Sequence, residues 1–263
     1  MTHKLNEICL FLEEFAPSKL AADWDNVGLL VGDPQQNVSK VMTCLTVTLD
    51  VVAEAVEQGV QVIVSHHPMP FKSVRRITTG SIVGKMLLQL VQNQVAVYSP
   101  HTAFDSAEDG INQAWAEGLG LEAIAPMEPV IDMPELGTGR LGTFSAGKRL
   151  EEIVPLVKEL CQVERLRVIG ELDQPIRKVG IACGSAGEFL SLARRHKCQL
   201  FITGETTFHT CLDARAHEVA MLLTGHFASE RFAVEQLAKR LQNNFPTLDV
   251  WPSRAESNPW QEV

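Results

Sequence analysis

The feature that most constrains this chain is an alternation of β-branched runs with helical stretches, which begins at Val41-Met42-Thr43-Cys44-Leu45-Thr46-Val47-Thr48. Such a run predicts a strand. A helical stretch follows it, with Val51, Val52, Ala55 and Val56 on one face and Gly59 as its C-terminal stop. Val60-Gln61-Val62-Ile63-Val64-Ser65 predicts a second strand, which His66-His67-Pro68 cuts off. Helical periodicity over 82–92, a strand over 95–98 and a helix over 110–118 continue the series. Strand and helix alternating at this spacing imply an α/β fold with mixed, largely parallel sheets.

Between Ala125 and Gly142 the composition changes, with Pro126, Pro129, Pro134, Gly137, Gly139 and Gly142 crowded together. That punctuation predicts a boundary. It would separate an N-terminal α/β domain, 1–126, from a C-terminal α/β domain, 127–263. Alternation then resumes: a helix near 151–161, strands near 166–169 and 178–182, a helix near 186–197, strands near 199–203 and 219–224, and a helix near 229–242. The polar, proline-punctuated stretch from Val250 to Val263 is expected to be an extended tail.

The second half echoes the first. At a constant offset of 138, Val41 matches Val179, Ala55 matches Ala193, Val62-Ile63-Val64 matches Leu200-Phe201-Ile202, and Phe71 matches His209. Further on, the strand at 95–98 leads to His101 and Asp105, and the strand at 219–222 leads to His226 and Glu230. Each copy thus ends a strand with His, three residues, then a carboxylate. A repeat of this length predicts two related units.

Composition bounds the class. With 45% hydrophobic and 21% charged residues in 263, the chain is not of a disordered, collagen-like or coiled-coil kind. A net charge of −9 with no basic run argues against binding to a nucleic-acid backbone. Six cysteines without a CxxC pair read as reduced thiols of a cytoplasmic protein. Glu13-Glu14 interrupt the first apolar stretch, and there is no basic n-region, so no signal peptide is expected. No apolar run approaches the roughly 18 residues of a membrane span.

Ligands of open α/β sheets bind beyond the carboxyl ends of the strands. By that test His66, His67, Asp105, His226 and Glu230 stand out. Pro68 prevents the strand from continuing, so the rings of His66 and His67 are free to turn toward one cleft, toward different ions. His226 and Glu230, four apart at a helix start, project from one face. Three imidazoles and two carboxylates suffice for two divalent ions. A nitrogen and oxygen donor set without thiolate suits zinc, manganese, iron or nickel. A pair of such ions acidifies water and clamps a phosphoryl or carbonyl oxygen, which makes hydrolysis the natural reaction. The bland reading is that isolated histidines are surface or capping groups; His3, His196 and His217 are read that way. Gly180 to Gly187 is a glycine-rich strand-to-helix turn, Cys183 within it a buried structural thiol, and Trp24-Asp25-Asn26-Val27-Gly28 a turn suited to a polar cleft wall.

Trp24 to Leu29, Ser65-His66-His67-Pro68, His101-Thr102-x-x-Asp105, Gly225-His226-x-x-Ser229-Glu230 and Asn258-Pro259-Trp260 together resemble the NIF-three-like family, whose members are labelled GTP cyclohydrolase type 2 homologues. The resemblance spans nearly the whole chain. It implies the same five metal ligands, two metal ions in a cleft between two α/β domains, and a homohexamer. It further implies His101 and His209 as groups that orient ligands or touch substrate, although Phe208 stands where many relatives have a second histidine. The expected function is a metal-dependent hydrolase acting through metal-bound hydroxide on a nucleotide or other small phosphorylated or heterocyclic substrate, with His101 or Glu205 moving protons. The alternative is a non-catalytic metal-binding hexameric assembly or partner-binding protein.

Overall fold

The computed structural model describes residues 2–261. Its contacts divide the chain into two compact units, one holding the chain up to Phe104 together with the chain from Ala233 on, the other Asp105–Phe232.

In the first unit β1 (His3–Lys4) leads into α1 (Leu5–Phe15), which buries Leu5, Ile8 and Leu12, one stripe of an amphipathic helix. Then come β2 (Gly28–Val31), β3 (Asn37–Val38), β4 (Lys40–Cys44), α2 (Leu49–Glu57), β5 (Val62–Ser65), α3 (Ile82–Gln92), β6 (Ala96–Ser99) and α4 (His101–Ser106). Two of the helices start on hydroxyl caps: Thr48 accepts from the Val51 amide and Ser81 from the Gly84 amide, which satisfies donors that a helix start leaves open. The strand predicted to reach Thr48 stops at Cys44, because Thr48 is needed as the cap of α2. β4, β5 and β6 are parallel, in the register Val41↔Val62↔Ala96, and β2 closes one edge antiparallel to β6. Every residue of β5 and β6 is buried, as expected for strands covered on both faces. Met42, Ile63, Val97, Val51, Val52 and Leu90 form the centre of this core.

The second unit contains α5 (Ile111–Gly118), β7 (Glu122–Ala125), β8 (Glu128–Val130), β9 (Met133–Thr138), β10 (Arg140–Arg149), α6 (Leu150–Cys161), β11 (Arg167–Ile169), β12 (Pro175–Ala182), α7 (Leu190–Arg195), β13 (Leu200–Thr203), α8 (Phe208–Ala216) and β14 (Ala220–Leu223). Its sheet has the order β11-β14-β13-β12-β10-β7, with β12, β13 and β14 parallel and the flanking pairs antiparallel. The register Val179↔Leu200 is that of Val41↔Val62 carried forward by the offset of 138. Both units thus contain the same three parallel strands, which makes the architecture mixed α/β.

Two expectations meet a different structure. The proline- and glycine-rich stretch near 126/127 lies inside the second unit, where it builds the β8–β9 hairpin and the entry to β10. Gly137, at φ +146°, has room for no side chain: a Cβ would sit 2.1 Å from the Glu128 carbonyl oxygen. The contact-defined units part instead at 104/105, within α4, and at 232/233, within α9 (His226–Asn244). The expected tail, in turn, begins with a strand, β15 (Asp249–Pro252), parallel to β4 in the register Val250↔Val41. Among the described residues no helix is long and apolar enough to cross a membrane.

Candidate metal centre

Two amides just past β5 hold the predicted histidine pair in place. His66 N–H donates to the Cys44 carbonyl at 2.9 Å and His67 N–H to the Leu45 carbonyl at 2.8 Å, so the ladder with β4 runs on past the last strand residue. Ser99 and Ser65 hydroxyls donate to the carbonyls of His66 and His67. His66 is buried, and its ring centroid lies 5.0 Å from that of His67 and 5.2 Å from that of His101. His66, His67 and His101 each offer one ring nitrogen within 4.8 Å of the others. Zinc–nitrogen bonds of roughly 2.0–2.1 Å place opposed ligands no more than about 4.2 Å apart, so the spacing of this cluster is of the order that a shared ion requires.

His101 follows β6 in an unusual backbone conformation, φ +29°. Its Nδ1 bonds Asp25 Oδ1 at 2.7 Å, and the Thr102 amide and hydroxyl donate to Asp25 Oδ2. Burial pushes the Asp25 carboxyl up, but the His101 and Thr102 hydrogen bonds and the His101 charge outweigh it and hold the pKa at about 2. An ionised carboxylate only accepts, so His101 Nδ1 donates to Asp25, and Nε2 is the ring nitrogen turned away from that bond. This is the carboxylate–imidazole arrangement that fixes a metal-ligating tautomer. His67 Nδ1 bonds the Thr46 hydroxyl at 2.7 Å, which likewise leaves Nε2 to face the cluster. Trp24 and Phe71, both largely exposed, lie with ring centroids 5.9 Å and 6.0 Å from His101.

In the second unit the corresponding strand end carries His226 and Glu230. His226 Nε2 lies 3.2 Å from Glu230 Oε2, and its Nδ1 bonds Glu205 Oε1 at 2.9 Å. The Glu230 hydrogen bond raises the His226 pKa to about 9 against the opposing effect of burial, with Glu205 adding to the rise. Glu230 is 3% exposed, and backbone closeness explains how it fits: Gly184, at φ +68°, would place a Cβ 2.4 Å from Glu230 Oε1. Ser229 Oγ accepts from the Gly184 amide and donates to the His226 carbonyl, tying the glycine turn to the helix start. The glycine-rich turn thus makes space for a carboxylate.

Asp105 lies in the same unit beside Cys183, whose thiol donates to Asp105 Oδ1 at 3.2 Å. Burial first, then the charges of Asp105 and Glu230, pushes that thiol well above its ordinary pKa, so it remains a protonated donor. Asn112 completes the arrangement, donating to the Asp105 carbonyl and accepting from the Cys183 amide. His209 is exposed on α8, its ring next to Phe208. Of the histidines read as surface groups, His196 is half-buried and bonds the Met127 carbonyl. Sequence reasoning missed Thr46, and it took Asp25 only for a cleft wall.

A repeated α/β scaffold that gathers imidazoles at two adjacent strand ends of one unit, and pairs an imidazole with a buried carboxylate at a strand end of the other, defines a candidate metal-binding protein. The chain belongs to the Duf34/NIF3 (NGG1p interacting factor 3) family, whose pattern residues 3–259 match. Among proteins similar to it, a "GTP cyclohydrolase 1 type 2 homolog" of Clostridium acetobutylicum is 35% identical over 95% of this chain and 94% of that one. A protein of the same description from Clostridium perfringens is 36% identical over 99% and 100%. A Staphylococcus aureus protein of known structure superposes with a TM-score of 0.89 at 26% identity, covering 99% of both chains.

Proposed function

We propose that the chain holds two divalent metal ions through His66, His67, Asp105, His226 and Glu230, with His101 as a further imidazole, and that it is a metal-dependent hydrolase of a nucleotide or another small phosphorylated or heterocyclic substrate. The observation that carries this reading is the cluster of three imidazoles with the His101 tautomer fixed by a buried, ionised Asp25. Zinc, manganese, iron and nickel all suit such nitrogen and oxygen donors. Divalent ions supply acidified water and a polarised substrate oxygen.

The chain's own residues divide the remaining work. Asp25 and Thr46 hold His101 and His67 by Nδ1, and Glu205 holds His226 the same way. Glu205 is solvent-exposed, which suits it to exchange a proton with water. Cys183 and Asn112 hold Asp105. The description shared by the two clostridial relatives favours a nucleotide as substrate. Homohexameric assembly belongs to the same reading and comes from the family resemblance, and a cytoplasmic location from the six cysteines read as reduced thiols.

A screen decides it. Metal-reconstituted protein is offered nucleotides, phosphomonoesters and cyclic amidines; hydrolysis of at least one, abolished in Glu230→Ala, is the expected result. Turnover that survives Glu230→Ala unchanged contradicts the assignment.

A further inference from the structure

The segment beyond β15 is fastened to the loop behind His67. β15 runs parallel to β4 as far as Pro252↔Thr43, and Ser253 N–H donates to the Thr43 carbonyl at 2.7 Å. Glu54, on α2, then takes three successive residues: the Ser253 hydroxyl at 2.6 Å, the Arg254 amide at 3.1 Å and the Ala255 amide at 3.0 Å. That grip delivers Glu256 to the end of β4. There its two carboxylate oxygens accept from consecutive amides, Leu45 N–H at 2.9 Å and Thr46 N–H at 2.6 Å. Hydrogen bonds to an ionised carboxylate are the strong ones, and a fork on two neighbouring amides fixes the peptide plane between them.

The same two residues touch His67 from the other side. Leu45 accepts from the His67 amide at 2.8 Å, and the Thr46 hydroxyl meets His67 Nδ1 at 2.7 Å. We infer that Glu256 is a positioning residue for the metal centre: by gripping the Leu45–Thr46 turn it places the hydroxyl that fixes the His67 ring and directs Nε2 to an ion. The inference rests on His67 being a ligand. Partners that orient a ligating imidazole are worth about 10–100-fold in metal affinity. A strap that only secures the chain end would leave affinity untouched.

Zinc titration of the full-length, chelator-stripped protein by calorimetry, alongside thermal melts without metal, separates the two. Glu256→Ala and Thr46→Val are each expected to weaken zinc binding about 10–100-fold. Because both act through one contact, the double variant loses no more than either alone. Thr46→Ser, which keeps the hydroxyl, restores wild-type affinity, and Glu256→Gln, which keeps one acceptor oxygen, falls between. Glu256→Ala melting earlier with unchanged zinc affinity overturns the inference, as does additivity in the double variant. His67→Ala tells the inference from the reading beneath it. Loss of zinc in His67→Ala with wild-type binding in Glu256→Ala and Thr46→Val removes the strap's role alone. Unchanged zinc affinity and stoichiometry in His67→Ala removes both.

Discussion

Asp25 and Gly184 carry more of the site than their type suggests. Asp25 ties the His101 ring, and Asp25→Asn is expected to cost about 10–100-fold in zinc affinity, read by calorimetry. The same carboxyl has a folded-state pKa near 2, below its ordinary 3.8. A depressed value means that its contribution to stability is present above the unfolded pKa and fades as pH falls toward the folded one. Urea midpoints of wild type and Asp25→Asn should therefore differ at about pH 6 and converge near pH 2. Gly184→Ala places a methyl against Glu230 and forces a left-handed backbone onto alanine. A loss of about 1–3 kcal/mol in urea unfolding is expected, with weakened metal binding. The histidine pair was legible in sequence because Pro68 ends the strand beneath it. The role of Asp25 was not, since its bond to His101 joins residues 76 positions apart and nothing local announces it.

Elements with a strong period were equally legible. α3 spans the residues its periodicity predicts, and β5 reads as a strand from its run of branched residues, which, like every residue of β6, are buried. β15 escaped because it is short and ends at a proline, and because its partner, β4, lies far back in the chain. Its strap gives a prediction. Burial tends to raise the Glu54 carboxyl, but the Ser253 hydroxyl and the Ala255 and Arg254 amides outweigh that and lower its pKa below 4.5. Its support for the strap is thus complete above about pH 5 and fades on acidification. Hydrogen exchange at the Arg254 and Ala255 amides, corrected for intrinsic rate, should show protection falling as the pH drops below 4.5 in wild type. In Glu54→Gln that protection is expected to be lower and flat across the same range.

Each of the two units contains three parallel strands, the first pair of which keeps the same register, and its offset of 138 is legible in the apolar matches of the sequence itself. Where the compact units part is not. The glycines and prolines near 126–142 signal a turn, but a turn inside a sheet and a turn between domains use the same residues. α9 contributes His226 and Glu230 to one unit and continues as part of the other, a continuity that periodicity alone does not reveal. The central claim is that this chain is a metal protein. Elemental analysis of purified wild type, supplemented with zinc, manganese, iron or nickel and then dialysed, is the direct measurement. About two ions per chain are expected, falling in His66→Ala and Glu230→Ala; fewer than about 0.2 per chain with every metal would contradict the claim.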